Sequence, residues 1–204
     1  RCVYNRLSGE FAIHVPLFNE EGTWLETVID NPEGFEAIAE TVARKSLKEK
    51  MREEADNAVI QEFSASVGDI ISGEVQQGRD ESIIYVYLGG RTEGKIPPTE
   101  QVKGEVFKHG DRIKAFVVKV EKGLRGPEIT LSRTHPQLVR ALFALEVPEI
   151  NDRVVEVMGV SREPGQRSKI SVRTHRAGVS PKGALIGPSG ARSRAVSDEL
   201  FGEK

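Results

Sequence analysis

The sequence predicts a multidomain α+β protein with a helical N-terminal part at residues 1–66, a five-stranded β-barrel at 67–134 and a small α/β domain at 135–204. Apolar residues recur at helical spacing in the first part. They alternate with period two in five short, glycine-punctuated segments of the second part, and both periods occur in the third. The 204 residues are 38% hydrophobic and 29% charged, a composition typical of soluble globular proteins.

The N-terminal part is predicted to contain short strands followed by one long helix. Apolar residues alternate within residues 1–29, as they do in a half-buried strand. Asp30 or Asn31 can cap a helix that begins at Pro32 and carries an apolar stripe as far as Phe63, a length of about 48 Å. Two interpretations remain open: the stripe packs on a core of its own domain, or the helix is an arm of a larger docking domain.

The middle part contains five short strand-like segments, which predict a small closed barrel. In the segment ESIIYVYLGG, Ile83, Tyr85 and Tyr87 share one strand face, and the apolar residues between them share the other. Only one face can line the barrel core. Packing within the barrel and stacking on a nucleic-acid base are therefore alternative roles for Tyr85 and Tyr87.

The third part has the predicted order helix, strand, strand, helix, GPSG, helix. A short helix covers residues 136–145, and the segments RVVEVMGVSRE and SKISVRT form a hairpin around the turn PGQR. The next helix is expected to begin at Ser180-Pro181, because serine caps helices and proline fits their first turn. A final helix follows GPSG, and one more strand would be expected after it.

The segment KGALIGPSGARSRAV thus places a G-x-x-G sequence between two predicted helices. A nucleotide-binding P-loop ends in Gly-Lys-Ser or Gly-Lys-Thr, but here Ala191 and Arg192 follow Gly190. A dinucleotide-binding loop follows a strand, whereas a helix precedes this one. A plain corner between two helices remains open, because glycine is common at helix ends and Pro188 is well suited to begin the next helix.

The context of this loop favours an anion-binding role. The following helix directs its positive end at the loop, and glycines 187 and 190 allow a phosphodiester backbone to approach closely. Basic residues flank the loop, and others are predicted on the neighbouring strand. The predicted nucleic-acid site of this domain comprises Lys169, Arg173, Lys182, Gly187, Pro188, Ser189, Gly190, Arg192 and Arg194.

The formal net charge of −2 hides an uneven distribution of charge along the chain. Residues 1–66 carry 7 basic and 13 acidic residues, whereas residues 153–194 carry 9 basic and 2 acidic ones. This asymmetry favours an acidic face for a protein partner and a basic face for phosphates, with ordinary solvated surface charge as the alternative.

The sequence favours a binding protein of the cytoplasm over an enzyme. The 4 histidines are scattered and no paired carboxylates stand in a recognisable motif, so we expect no metal, no cofactor and no catalysis. No apolar run has the length of a membrane span, and the first residues lack the apolar core of a signal peptide. Cys2 is the single cysteine, a usage that fits a reducing cytoplasm.

The middle segments GDIISGEV, YVYLGGRTEGKIPPTE, GDRIKAFVVKV and ITLSR resemble the ribosomal protein S1 motif, an RNA-binding module with the OB-fold. The segments EVPEI, VSREPGQRSKISVRT, GALIGPSGAR and DELFGEK resemble the first KH domain of the NusA family of bacterial transcription termination and antitermination factors. PEGFEAIAETVARK resembles the end of that family's N-terminal domain, which binds RNA polymerase. The resemblance implies a type II KH domain without its last strand, in a chain without the family's first helices.

The resemblance implies an RNA-binding transcription elongation factor that modulates pausing, termination and antitermination. The implied partners of this monomer are RNA polymerase, single-stranded nascent RNA and other Nus-type antitermination factors. A KH domain holds about four nucleotides at its loop. Two alternatives remain open: the RNA-holding module of an exoribonuclease such as polynucleotide phosphorylase, and an adaptor that binds proteins only.

Overall fold

The computed structural model describes residues 2–4, 11–18, 22, 24–29, 35–78, 80, 82–90, 92–123 and 126–204. The chain divides into two compact units, Arg1–Arg52 and Glu53–Lys204. The predicted helix caps at residues 30–32 lie outside the described residues.

The first unit contains a three-stranded antiparallel sheet in the order β1-β2-β3. Its strands are β1 (Cys2–Tyr4), β2 (Phe11–Phe18) and β3 (Trp24–Ile29), which confirms the strands predicted from alternation. The long helix α1 follows at Phe35–Ser64.

The apolar stripe of α1 has two different environments. Ile38, Val42 and Met51 are exposed, at 61%, 56% and 66% of their full accessibility. In the second unit, Phe63 is buried and Val59 is partly buried, and both pack against the core of the barrel. The last turns of α1 therefore pack on the barrel core, so the first of the two open interpretations, one core along the whole stripe, does not describe the helix.

The barrel closes through five strands in the order β4-β5-β6-β8-β7. Its pairs are antiparallel except for the parallel pair β6–β8. This arrangement confirms the five-stranded barrel that the sequence predicts. Its strands are β4 (Ile70–Gln76), β5 (Ile84–Gly89), β6 (Thr92–Ile96), β7 (Arg112–Gly123) and β8 (Gly126–Ser132).

The barrel core is formed by every second residue along each strand, whose side chain points inward. Val86 of β5 is buried, whereas Tyr87 beside it is 40% exposed. Gly94 lies so close to Leu131 that a Cβ atom at residue 94 would stand 2.5 Å from the leucine Cδ1, so this inner position requires a small residue. The inner face of β5 is thus the aliphatic one, and the tyrosine face points outward.

The α/β domain follows the barrel directly, and its two strands pair antiparallel. It confirms the predicted element order and adds the one-turn helix α3. Its elements are α2 (Pro136–Glu146), α3 (Pro148–Asn151), β9 (Val155–Glu163), β10 (Arg167–Thr174), α4 (Pro181–Ile186) and α5 (Ala191–Glu199).

The helices of this domain pack on one face of the hairpin, and their core continues into the barrel. Leu138 and Leu142 of α2 share one buried cluster with Leu185 of α4 and Val196 of α5. Phe116 of the barrel strand β7 belongs to the same cluster. The barrel and the α/β domain are therefore joined by a continuous apolar core.

Lys204 pairs with the outer edge of β10. Its N–H donates to the Gln166 carbonyl at 3.1 Å, and its carbonyl accepts from the Ser168 N–H at 2.6 Å. This is the hydrogen-bond pattern of a single parallel bridge, and residues 201–204 form no strand.

A fully buried arginine joins the barrel to the last helix. Arg133, with a side chain 1% exposed, follows β8 and pairs with Glu105 at 2.6 Å and with Glu199 of α5 at 3.3 Å. Its guanidinium also donates to the carbonyls of Lys114 in β7 and of Glu199, both at 2.8 Å. The ring of Phe107 lies 5.6 Å from the guanidinium carbon, which adds a cation–π contact.

A second buried arginine fixes the same segment from the hairpin side. Arg162 of β9 donates to the carbonyls of Arg133 and His135 and pairs with Glu203 at 2.8 Å. Glu203 also accepts from the Gly165 N–H and the Ser168 hydroxyl. Burial raises the pKa of the Glu203 carboxyl, but these hydrogen bonds together outweigh burial and leave the pKa below its usual value.

Aromatic contacts complete the junction between barrel and α/β domain. His135 stacks on Phe116 with ring centroids 4.2 Å apart, and its Nδ1 caps α2 by accepting from the Gln137 N–H. Phe107 meets Phe201 edge to face at 5.1 Å. None of the described helices is both long enough and apolar enough to cross a membrane.

The first prediction concerns Arg133. Arg133→Met leaves the buried Glu105 without its positive partner, so we expect a loss of about 3–5 kcal/mol in unfolding free energy, measured by urea denaturation. Replacing Glu105 as well, in Arg133→Met/Glu105→Met, should recover part of the loss. The control Lys119→Met removes an exposed ion pair with Glu121 and should change little. Equal effects of the Arg133 and Lys119 variants would contradict the role of the buried pair.

The second prediction concerns pH. Because the folded pKa of Glu203 is depressed, its contribution to stability is present above the unfolded pKa of about 4.3 and is lost as pH falls through the folded pKa. The difference in unfolding free energy between the wild-type chain and Glu203→Gln should therefore shrink as pH is lowered below about 4.3. A difference that stays constant down to acid pH would contradict this assignment.

Candidate nucleic-acid interface

The GPSG segment forms a left-handed loop between α4 and α5. Gly187 ends α4 with φ 72° and ψ 178°, and its N–H donates to the Gly183 carbonyl at 2.9 Å. Pro188 begins a single 3₁₀ turn, in which Ser189 has φ 50° and Gly190 has φ 77°. Left-handed backbone is costly for any residue other than glycine, so the surrounding structure must hold Ser189 in place.

Two features require glycine at residue 187. Its dihedral angles lie in a region that is accessible essentially to glycine alone. A Cβ atom there would also stand 2.7 Å from Cγ and 2.8 Å from Cδ of Arg192. The close approach of the loop to the Arg192 side chain is therefore possible only because residue 187 has no side chain.

The helix before the loop is fixed at both ends. Ser180 is its N-cap, and the serine hydroxyl accepts from the Gly183 N–H at 3.2 Å, which confirms the predicted start of the helix. Leu185 is buried in the core of the domain. The loop thus leaves a helix whose position is set by the core.

The helix after the loop begins without a side-chain cap. Its N-cap, Gly190, has no side chain that could accept a hydrogen bond from the first turn. The helix dipole directs its positive end at the loop, which favours an anion there. The loop is thus a helix corner whose electrostatics favour a negatively charged ligand.

The three predicted basic residues of α4 and α5 are in two different states: two are exposed and one is paired with an acid. Lys182 and Arg194 are exposed, and Arg194 donates to the Ser189 carbonyl at 2.6 Å. Arg192 has a side chain 24% exposed, and its guanidinium pairs with Glu149 of α3 at 2.9 Å. The structure therefore brings Arg192 and Arg194 to the loop and places Lys182 at the start of α4, and it engages Arg192 with the protein itself.

The two predicted basic residues of β10 lie on the other face of the hairpin. Lys169 and Arg173 are exposed, whereas the alternating Ile170 and Val172 pack toward the helices. Successive side chains of a strand point to opposite faces, so Lys169 and Arg173 point away from the helix layer that carries the loop. The structure separates these two residues from the loop cations.

Arg173 is also engaged by an acidic neighbour. It pairs with Glu156 at 2.7 Å, and His175 lies 3.3 Å from the same carboxylate. Hydrogen bonds from Arg173 and then from His175 hold the pKa of Glu156 below its usual value. A cavity of about 420 Å³ lies beside this cluster, lined by residues of α2, α3 and the hairpin: Arg140, Ile150, Arg153, Val155, Glu156, Val157 and His175.

The two predicted tyrosines lie on the outer face of the barrel, on β5. The Tyr85 ring covers Gly78 so closely that a Cβ atom at residue 78 would collide with it. The Tyr87 hydroxyl donates to the Gly90 carbonyl at 3.2 Å. Since the opposite strand face lines the core, packing inside the barrel does not account for either tyrosine.

Sequence reasoning missed the acidic partner of the loop and the buried arginines. Glu149 belongs to EVPEI, where nothing local distinguishes it from a solvated acid. Nothing in the sequence distinguishes Arg133 and Arg162 from ordinary basic residues, because a buried arginine has no sequence signature of its own. Among the described residues, no three His, Cys, Asp or Glu side chains are grouped so that they could hold a metal ion.

Comparison with known families agrees with this architecture. Residues 64–132 match the family described as S1 RNA binding domain, and residues 133–204 match the NusA-like first KH domain. The closed barrel and the G-x-x-G loop between two helices lie within these two ranges. The fold and the loop therefore define an RNA-binding protein of the S1–KH class.

Relatives of known name narrow this class. The transcription termination/antitermination protein NusA of Mycobacterium tuberculosis strain H37Rv is 44% identical over 210 residues, which cover 100% of this chain and 60% of the relative. The proteins of the same name from Bacillus subtilis and Thermus thermophilus are 45% and 38% identical, over 85% of this chain and 46% and 45% of their own lengths. The chain belongs to the NusA family, and it spans between 45% and 60% of the length of these relatives.

The third prediction tests the loop backbone. Gly187→Ala places a side chain in a region accessible essentially to glycine, so we expect unfolding free energy to fall by about 1–3 kcal/mol in urea denaturation. The matched control is Gly183→Ala, inside α4, where the added methyl group meets only Ser180 at 3.3 Å and helix propensity improves. Equal stability of the two variants would contradict the strained geometry of the loop.

Proposed function

We propose that the GPSG loop binds the phosphodiester backbone of single-stranded RNA. The observation that carries this proposal is a glycine loop with positive φ angles at a helix N-terminus without a side-chain cap, with the exposed Arg194 beside it and the exposed Lys182 at the start of the preceding helix. Gly187 and Gly190 let a backbone approach, and Pro188 and Ser189 form the outer surface of the turn. Lys182 and Arg194 would pair with phosphates, and a KH loop of this kind holds about four nucleotides.

The barrel provides a second proposed contact with the same RNA. Tyr85 and Tyr87 lie on its outer face, where an aromatic ring can stack on an unpaired base. Tyr87 is the more exposed of the two, whereas Tyr85 rests on Gly78. Lys169 and Arg173 would contact RNA only on the sheet face, because they point away from the loop.

The family suggests the setting in which this binding acts. We propose a cytoplasmic, monomeric transcription elongation factor that binds RNA polymerase, nascent RNA and other Nus-type antitermination factors, and that modulates pausing, termination and antitermination. The excess of acidic residues in the N-terminal part would suit a protein partner, and the basic stretch 153–194 would suit RNA. On this proposal the chain acts by binding, without catalysis and without a cofactor.

The fourth prediction tests the loop as an RNA clamp. A fluorescent single-stranded RNA should bind the wild-type chain in an anisotropy titration, with affinity falling between about 50 and 200 mM salt. Pro188→Asp/Ser189→Asp places two negative charges at the loop, so binding should weaken about tenfold or more, or about 1.4 kcal/mol.

The matched control for this test is Pro164→Asp/Gln166→Asp, which adds the same charges at the exposed hairpin turn. It should bind RNA nearly as the wild-type chain does. Equal binding by the loop variant and the wild-type chain would refute the clamp and move the RNA site to the barrel. Absence of RNA binding together with polymerase binding would favour a protein-only adaptor, and degradation of the RNA by the purified chain would favour a nuclease.

A further inference from the structure

Arg192 differs from the other two cations at the loop because its charge is already engaged. Its Nη1 atom donates to both oxygens of Glu149, at 2.9 Å and 3.1 Å, and to the Ala184 carbonyl at 2.7 Å. The two side chains are only 24% and 34% exposed. A guanidinium held in this way has less freedom to follow a mobile phosphate than the exposed Lys182 or Arg194.

The position of this pair ties together the three helices around the loop. Glu149 lies in α3, Ala184 lies in α4 before the loop, and Arg192 lies in the first turn of α5 after it. One nitrogen atom therefore links both sides of the loop to a third element. Since α3 packs against β9 and α2, the link fixes the loop to the body of the domain.

The stem of Arg192 is also the surface on which Gly187 rests. The absent Cβ of Gly187 would lie 2.7–3.1 Å from Cβ, Cγ and Cδ of Arg192. Strained backbone, such as the left-handed Ser189, persists only where its surroundings hold it in place. The Arg192 side chain contacts the loop at Gly187, while Arg194 donates to the Ser189 carbonyl at 2.6 Å.

We propose that Glu149 and Arg192 are a positioning pair for the RNA clamp, in which Glu149 increases RNA affinity although its charge repels RNA. This inference rests on the proposed function of the loop. Arg192 acts through the loop backbone and not by contacting phosphate, while Lys182 and Arg194 supply the contacts.

The direction in which Glu149→Gln changes RNA affinity distinguishes a positioning role from a purely electrostatic one. An acidic group near an RNA site repels phosphate, so removing its charge raises RNA affinity if repulsion is its only effect. If Glu149 instead holds Arg192 against the loop, removing the charge lowers affinity. Its own backbone N–H and then Arg192 hold the pKa of Glu149 below its usual value, so the carboxylate is charged at neutral pH.

The test uses Glu149→Gln in the full chain, with Glu146→Gln as the matched control, and measures binding of a fluorescent single-stranded RNA by anisotropy. Glu146 is an exposed acid at the end of α2. We expect Glu149→Gln to weaken RNA binding about three- to tenfold, against unchanged or slightly tighter binding for Glu146→Gln. Tighter binding by Glu149→Gln would overturn the proposal.

A second variant, Arg192→Lys, keeps the positive charge but shortens the side chain. A residue that contributes only its charge to a phosphate would tolerate this change, whereas a positioning residue should lose affinity much as Glu149→Gln does. The double variant Glu149→Gln/Arg192→Lys should bind RNA as tightly as the single variant with the lower affinity, because both substitutions break the same contact. A plot of log affinity against log salt concentration should have the same slope for these variants as for the wild-type chain. Loss of one phosphate contact would instead reduce the magnitude of the slope by about 0.7.

Amide chemical shifts of Gly187, Ser189, Gly190 and Ala191 give a readout that needs no RNA. Glu149→Gln and Arg192→Lys should shift the amide resonances of the same loop residues, and Glu146→Gln should leave those resonances unchanged. If the loop double-aspartate variant binds RNA like the wild-type chain, the proposed function fails. If that variant loses RNA but Glu149→Gln and Arg192→Lys bind normally, the positioning role alone is refuted.

Discussion

The arrangement of the second unit depends on the burial of two arginines at one junction. A buried guanidinium is costly unless each of its donors finds an acceptor, and few geometries satisfy all of them. Arg133 uses acceptors from the barrel and from α5, and Arg162 uses the carbonyls of residues 133 and 135 together with Glu203. Moving any one of these elements would leave a buried charge without partners. The segment that joins the barrel to the KH domain therefore cannot act as a loose linker.

This constraint reaches the loop through α5. Glu199, at the C-terminal end of α5, pairs with Arg133 and with Lys114 of the barrel, and the N-terminal end of the same helix carries the GPSG loop. A rigid helix transmits the position of one end to the other. The loop is thus oriented relative to the barrel by a buried ion network at one end of α5 and by Arg192 and Glu149 at the other end.

Local patterns were sufficient for the fold and for the centre of the candidate site. Alternation in β5 separated the tyrosine face from the aliphatic face, and the glycines of the loop marked a backbone that other residues do not adopt. The orientation of Lys169 was equally predictable, because it alternates with the core residue Ile170, yet it was assigned to the loop side. The pairing of Arg192 with Glu149 depends on a contact between residues 43 positions apart, which no local pattern contains.

The basic stretch 153–194 shows why charge counted along a sequence overstates the charge that a ligand meets. Arg162 is buried against Glu203, Arg173 faces Glu156, and Arg192 is held by Glu149. Each of these pairs has little net field at a distance, and what remains at the loop is the exposed charge of Lys182 and Arg194 with the dipole of α5. The proposed clamp would depend less on the number of cations than on a backbone held in the shape that they flank. On that proposal, an acid such as Glu149 would support the binding of RNA, a polyanion.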